Sequence, residues 1–456
     1  MSLLAALLFL PFLPCPDCPQ LCDSKLAYYQ ASLHIELMTW LRLILLLSCL
    51  GPVAWHLDGE QRAGRFQHVD DLFLDFLVAN ARERLSQPAS AENEDQVAFV
   101  ALREEQKGEY AAWPPPPLDW QTLFKALQPY EPRVLVIATP LNWGHPSPEF
   151  VPAVAETLLP FPQVVQGIEI QPAESAPKIP PFMGDLTDVL PRFQRVDGPP
   201  SSAPAFSALI TAPDPALRPS GDMGLLAVQQ SAKGWSLPYA LLAEDTLVPS
   251  VLAQTFARLT RSPYALHRLR LGPGAGAYLA DGTFVPLQND GSLAVNSATS
   301  VPIINALDLM TGTLADALSP EDKAALGKGR VIVIGPDHAE NASPRLAYLH
   351  AQALAQTLSL PKLQKLTQIQ QWIAWGIAAL AASWLVLRVR RGRALWMGIG
   401  LIFCALVICF MAFQASLLWC PPTIPAALIA IGALLGMIVG RGTPKVTPAP
   451  SEASPS

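Results

Sequence analysis

The stretch Arg330-Val-Ile-Val-Ile334, closed by Gly335, decides the fold class of this chain. Four consecutive β-branched apolar residues favour a strand, and an apolar character on both faces belongs to a sheet covered on both sides. Val97-Ala-Phe-Val-Ala-Leu102, Val134-Leu-Val-Ile-Ala-Thr139 and Val164-Val-Gln-Gly-Ile-Glu-Ile170 read in the same way. Helical stretches lie between and after them, over Trp120–Leu127, Ala153–Leu159, Leu247–Leu259 and Arg345–Leu358. Ala277–Leu279 and Ser292–Val295 are short strands beside the turns Asp281-Gly282 and Asp290-Gly291. Strands alternating with helices predict an α/β domain, a mixed sheet covered by helices.

Outside this middle the chain changes character. Met38–Leu57 is apolar except for Arg42, and twenty helical residues span about 30 Å, the thickness of a bilayer core. No small-residue cleavage site follows it, so an uncleaved anchor is preferred to a signal peptide. Three further apolar stretches, 371–387, 394–419 and 424–440, complete four expected transmembrane helices. Arg388, Arg390, Arg391 and Arg393 follow the first of these three, and Arg441 and Lys445 follow the last. The positive-inside rule puts those bases and the C-terminus in the cytoplasm, and residues 58–365 in the periplasm of a bacterial inner membrane. Gly432, Gly436 and Gly440 share one helix face, which favours packing within the bundle over contact between two copies in a homodimer. Residues 441–456 read as a disordered cytoplasmic tail. Residues 1–37 form an extension that fits no class. Its Cys15, Cys18 and Cys22 are spaced closely enough for a metal, but no fourth ligand accompanies them, and Met38 offers a second start.

Charge agrees with this division. Charged residues make up 15% of the chain and hydrophobic ones 51%, against a charged share of about 25% in soluble domains. Residues 58–365 hold 23 Lys and Arg against 33 Asp and Glu. An acidic middle excludes a nucleic-acid partner, which needs a basic face. None of the seven cysteines falls within it, so no disulfide framework is expected there.

Arg65-Phe66 through Asp71-Leu72-Phe73 and Asp75-Phe76, Ala112-Trp113-Pro114, Val248-Pro249-Ser250, Phe284-Val285-Pro286-Leu287, Asp290-Gly291-Ser292-Leu293-Ala294-Val295-Asn296, Gly329–Gly335 and Leu349-His350-Ala351-Gln352 occur in a recognisable order. In that order, with one anchor before and three apolar helices after, the chain resembles the CHASE sensor family of the second type. That resemblance implies an extracellular sensory domain of the kind attached to cyclases and histidine kinases. The chain departs from the family where an Ile-Asp-Glu is replaced by Ala101-Leu102-Arg103-Glu104-Glu105. It also departs at the Pro114–Pro117 run, and where Ala138-Thr139-Pro140-Leu141-Asn142-Trp143 replaces a Phe-Asp. The output domain that the resemblance implies cannot fold from the fifteen residues after Arg441.

No nucleophile elbow, zinc-protease motif or Walker loop occurs, so no catalytic residue, metal site or cofactor is assigned. Leu271-Gly-Pro-Gly-Ala-Gly276 reads as a hairpin loop rather than an anion cradle, since no helix follows it. Asp337, His338 and His350 have metal-ligating chemistry, but a hydrogen-bonded core histidine is the preferred reading of His350. Ligands of α/β sheets bind beyond the carboxyl ends of the strands. Arg103, Glu104 and Glu105, with Trp113, Asn142 and Trp143, are therefore the expected ligand-binding residues, with a solvated charged turn as the alternative reading. The function expected is a membrane-anchored extracytoplasmic sensor, not an enzyme, that binds a ligand or protein and signals through a separate cytoplasmic effector. A scaffolding protein of the bacterial envelope is the alternative.

Overall fold

A computed structural model of the chain describes residues 19–87, 96–103, 114–144, 150–173, 183–187, 189–231, 234–311, 318–337 and 346–439. The chain divides into two compact units, Asp75–Lys365 and Met1–Leu74 together with Leu366–Ser456.

The Asp75–Lys365 unit takes in most of helix α2 (Gln67–Leu85), within which the division between the units falls. The chain then runs β1 (Val97–Arg103), α3 (Pro117–Leu127), β2 (Val134–Ile137), α4 (Phe150–Leu158) and β3 (Val164–Ala173). Short strands follow: β4 (Arg195–Asp197), β5 (Ala205–Thr211), β6 (Asp222–Leu226), β7 (Gln229–Ser231), β8 (Gly234–Pro238), β9 (Ala240–Ala243) and β10 (Thr246–Pro249). Helix α5 (Val251–Thr260) leads to β11 (Arg268–Arg270), β12 (Gly276–Tyr278), β13 (Phe284–Pro286), β14 (Ser292–Ala294) and β15 (Ile303–Asn305). Helices α6 (Ala306–Thr311) and α7 (Pro320–Ala325), strand β16 (Val331–Asp337) and helix α8 (Leu346–Leu358) complete the unit.

The main sheet has the order β10-β9-β5-β3-β2-β16-β1-β15, with β6 paired to β3. Its centre is parallel, β15 to β1, β1 to β16, β16 to β2 and β2 to β3, whereas β5 and β10 run antiparallel to neighbours, so the sheet is mixed. Alternation along the strands sorts residues to two faces. Val97, Phe99 and Ala101 pack with Val134, Val136 and the inner sides of α5 and α8. Ala98, Val100 and Leu102 pack with Leu135, Ile137, Trp120, Phe124 and Val154, under α3 and α4. Helices on both faces are what the apolar character of RVIVI required. A second sheet, β13-β12-β11-β4, and a third, β14-β8-β7, lie within the same unit.

Two expectations are corrected in this unit. Leu247 and Val248 lie in β10, not in a helix, because the residue before a proline avoids helical backbone and Pro249 has no amide to donate. The helix starts one residue after Ser250, whose hydroxyl accepts the Ala253 amide at 3.4 Å as an N-cap. The RVIVI strand does not stop at Gly335 but runs to Asp337.

The other unit contains α1 (Pro19–Arg62), α9 (Gln368–Arg388), α10 (Arg391–Ser416) and α11 (Thr423–Val439). Trp40–Arg62, Gln368–Arg388 and Arg391–Ser416 are long and apolar enough to cross a membrane. Four such helices were expected; the fourth, Thr423–Ile438, is apolar but shorter, because the chain turns late at Pro421-Pro422. At about 1.5 Å per residue its axis is close to 25 Å, under the ~30 Å of a typical hydrocarbon core. A Cβ on Gly432 would stand 2.5 Å from the Cα of Ala382, and one on Gly436 3.1 Å from the Cβ of Ala394. These two glycines therefore serve close packing inside the bundle; Gly440, Arg441 and Lys445 lie outside the described residues, as do Cys15 and Cys18.

Candidate functional site

Of the expected ligand residues the structure places Arg103, Asn142 and Trp143, at and beyond the carboxyl ends of parallel strands β1 and β2. Arg103 closes β1, in register with Asp337 of β16. Glu104, Glu105 and Trp113 lie outside the described residues, as does His338. Asn142 and Trp143 lie side by side in the loop after β2, with their polar groups already engaged. Asn142 Nδ2 donates to the Ala212 carbonyl at 3.0 Å, and its Oδ1 accepts the Gly144 amide at 2.9 Å. Trp143 Nε1 donates to the Pro115 carbonyl at 2.7 Å, and its ring packs on the α3 and α4 side of the sheet. Both residues fasten loops to the rim.

Among the described residues a well-developed polar constellation lies elsewhere, on the β4, β11–β13 sheet. Asp75 of α2 is buried against it. Arg268 donates from Nη1 and Nη2 to the two oxygens of Asp75 at 3.1 and 2.7 Å, a fork-shaped pair. Arg270 Nη1 stands 2.5 Å from the same carboxylate, and the Tyr278 hydroxyl donates to it at 2.7 Å. The Nε of Arg268 bonds Asp197, and its guanidinium lies 5.0 Å from the centre of the Tyr278 ring. Two arginines against two aspartates make the cluster neutral. The side chains of Asp75 and Arg268 are only 10% and 8% exposed, which makes each a costly charge to leave unmatched. Burial first, and then the charge of Asp75, hold the Tyr278 hydroxyl above its ordinary pKa, so it stays a donor.

Strands β12 and β13 form an antiparallel hairpin, Tyr278 facing Phe284. Its turn grips the segment by which the chain leaves the unit. Lys362 Nζ lies 2.9 Å from Asp281 Oδ2, Lys365 Nζ donates to the Ala280 carbonyl at 3.1 Å, and the Leu363 amide donates to the Gly282 carbonyl at 2.8 Å. Gly282 has φ +90°, and a Cβ there would stand 2.4 Å from the Leu363 carbonyl oxygen, so only glycine fits. Burial alone would raise the Asp281 carboxyl, but bonds from Lys362 and from the Thr283 amide outweigh it and the pKa is lowered. One hairpin thus holds α2 through Tyr278 and the departing segment through residues 280–282. In the sequence Asp75 stands out only as part of the Asp71-to-Phe76 pattern. The available signal was Arg268-Leu269-Arg270, whose alternation sets two cations on one face of a strand.

Two histidines are buried among the described residues. His350 Nδ1 donates to the Leu346 carbonyl at 3.0 Å within its own helix, and burial lowers its pKa to about 4. His267 Nε2 lies 2.8 Å from the Ser262 hydroxyl, the spacing of a nucleophile and its base. Its Nδ1 is buried with no hydrogen-bond partner, so no acid orients the ring, which packs against Tyr264 at the end of α5. Among the described residues no group of three His, Cys, Asp or Glu is arranged to hold a metal. Leu271–Gly276 is the hairpin loop expected, joining antiparallel β11 and β12.

A family model of the CHASE2 domain matches residues 47–389, three quarters of the chain. The chain belongs to the CHASE2 domain family, a family of sensory domains, as the order of its motifs indicated. No curated protein and no solved structure matches the chain.

Proposed function

We propose that this chain is a membrane-anchored extracytoplasmic sensor that passes its state to a separate output protein. The observation that carries the reading is the β12–β13 hairpin, which holds both the helix by which the chain comes into the Asp75–Lys365 unit and the segment by which it leaves. A change of packing around that hairpin acts on both covalent routes to the apolar helices at once. Membership of a sensory family supports it, and the basic residues after the first and third C-terminal apolar stretches support a periplasmic unit with α1, α9, α10 and α11 all in the inner membrane. The short α11 is accommodated by local thinning of the bilayer and by its packing on α9 and α10.

Crosslinking in native membranes, followed by affinity capture of the full chain and mass spectrometry, tests the proposal. Recovery of a kinase, a cyclase or another cytoplasmic effector is the expected result. Recovery of envelope proteins alone would overturn it in favour of a scaffold.

A further inference from the structure

Two turns along α2 from Asp75 stands Arg82, on the same helical face. Its Nη2 donates to the Leu287 carbonyl at 2.6 Å, just past β13, while its Nη1 is buried and meets no acceptor. A buried guanidinium N–H without a partner is uncommon and costly. Arg82 lines a cleft of about 650 Å³ between α2, the β13–β14 turn and the end of α8. That volume lies within the range of small-molecule sites. Pro286 and the exposed edges of the largely buried Leu287, Leu293 and Leu360 give the cleft its apolar lining, and Asp290 and Gln356 border it. Gln356 accepts the Asn296 amide and donates to the Ala294 carbonyl. Asp290 accepts the amide and hydroxyl of Ser292, one on each oxygen, at 3.0 Å. A carboxylate has roughly four acceptor positions, so about two remain.

We infer that this cleft binds a small zwitterion of the amino-acid type, its carboxylate on Arg82, its ammonium on Asp290 and an aliphatic side chain against the leucines. A turn of the guanidinium about its last side-chain bonds brings Nη1 to the ligand. Arg82 suits a planar carboxylate, and Asp290 on the same cleft disfavours a multiply charged anion such as phosphate. Binding there draws on the one bond that ties Arg82 to the end of the hairpin. The inference rests on the sensor reading for its biological meaning, but its test does not.

The purified full chain in detergent micelles is titrated with L-leucine, with isovalerate, which lacks the ammonium, with isoamylamine, which lacks the carboxylate, and with inorganic phosphate. Affinity is read by calorimetry and the site by hydrogen exchange of α2 and the β13–β14 turn. L-leucine is expected to bind most tightly and to protect both segments. Arg82→Gln is expected to weaken it at least ~10-fold, and Asp290→Asn to bring it down to isovalerate. The subtraction series on the unmodified chain is decisive even if a variant fails to fold. Tighter binding of phosphate, L-leucine binding unchanged by Arg82→Gln, or no binding by any probe overturns the inference. Each of these results is independent of whether crosslinking recovers an effector.

Discussion

Helix α2 touches the β12–β13 hairpin region at two places that differ in one respect. At Asp75 a buried charge is answered in full, by two arginines and a tyrosine hydroxyl. At Arg82 a guanidinium has one carbonyl and an unpartnered Nη1 beside a cleft. A fully matched buried charge has nothing to gain from change and acts as a fixed joint. A partly matched one gains from any new acceptor, which is what a responsive contact needs. The contrast marks where the unit is held and where it is open to a ligand.

The largest effect is expected from breaking the fixed joint. Asp75→Ala leaves Arg268 with Asp197 alone and takes the carboxylate from partly exposed Arg270, and is expected to cost about 3 kcal/mol, read as a lower urea midpoint for the full chain in micelles. If Asp75→Ala proves no more disruptive than Arg82→Met, the contrast between the two contacts fails.

Acid sharpens the comparison, because it reaches the two sides at different pH. The folded pKa of His350, about 4, lies below its ordinary 6.5, so the unfolded chain binds the extra proton between those values. Its contribution is complete above pH 6.5 and is lost as pH falls toward 4, on the order of 3 kcal/mol in all. His350 belongs to α8, whose last turns border the Arg82 cleft, so hydrogen exchange in α8 is expected to rise first. The depressed Asp281 contributes stability above its ordinary 3.8 that is lost only below it, so the grip on Lys362 outlasts α8 as pH falls.

Gly282→Ala attacks the departing side of the hairpin. Its positive φ and the Leu363 carbonyl both oppose a Cβ, and a cost of about 1–3 kcal/mol is expected, with exchange rising at residues 362–365. Arg82→Met is the smallest. It removes one carbonyl bond and one orphaned donor together, so stability is expected to stay within about 1 kcal/mol of the parent.

Much of the main sheet was legible because its central strands are uninterrupted apolar runs, and VAFVAL, VLVI and RVIVI announce a sheet covered on both faces. The region from β4 to β10 was not, since its strands are three to seven residues long and carry prolines, glycines and polar residues that hide any period. Leu247–Leu259 shows the cost of reading composition without the proline, which divided an apolar run into a strand and a capped helix. The rim residues Asn142 and Trp143 followed a sound rule about where ligands bind. Which backbone carbonyls their side chains would reach, however, depends on loops distant in sequence. Asp75 illustrates the limit most clearly, because its partners Arg268 and Tyr278 are 193 and 203 positions away. No local pattern announces such a pairing; only the completed fold brings the three together.

The hairpin also bears on how such a unit combines with others. Because Asp75 and residues 362–365 are both held at the turn end of one short hairpin, the unit begins and finishes on the same patch of its own surface. A unit of that kind behaves as an insert. It can be spliced into a loop of an unrelated host without forcing the host's flanking elements apart, and the host needs to supply only a narrow gap.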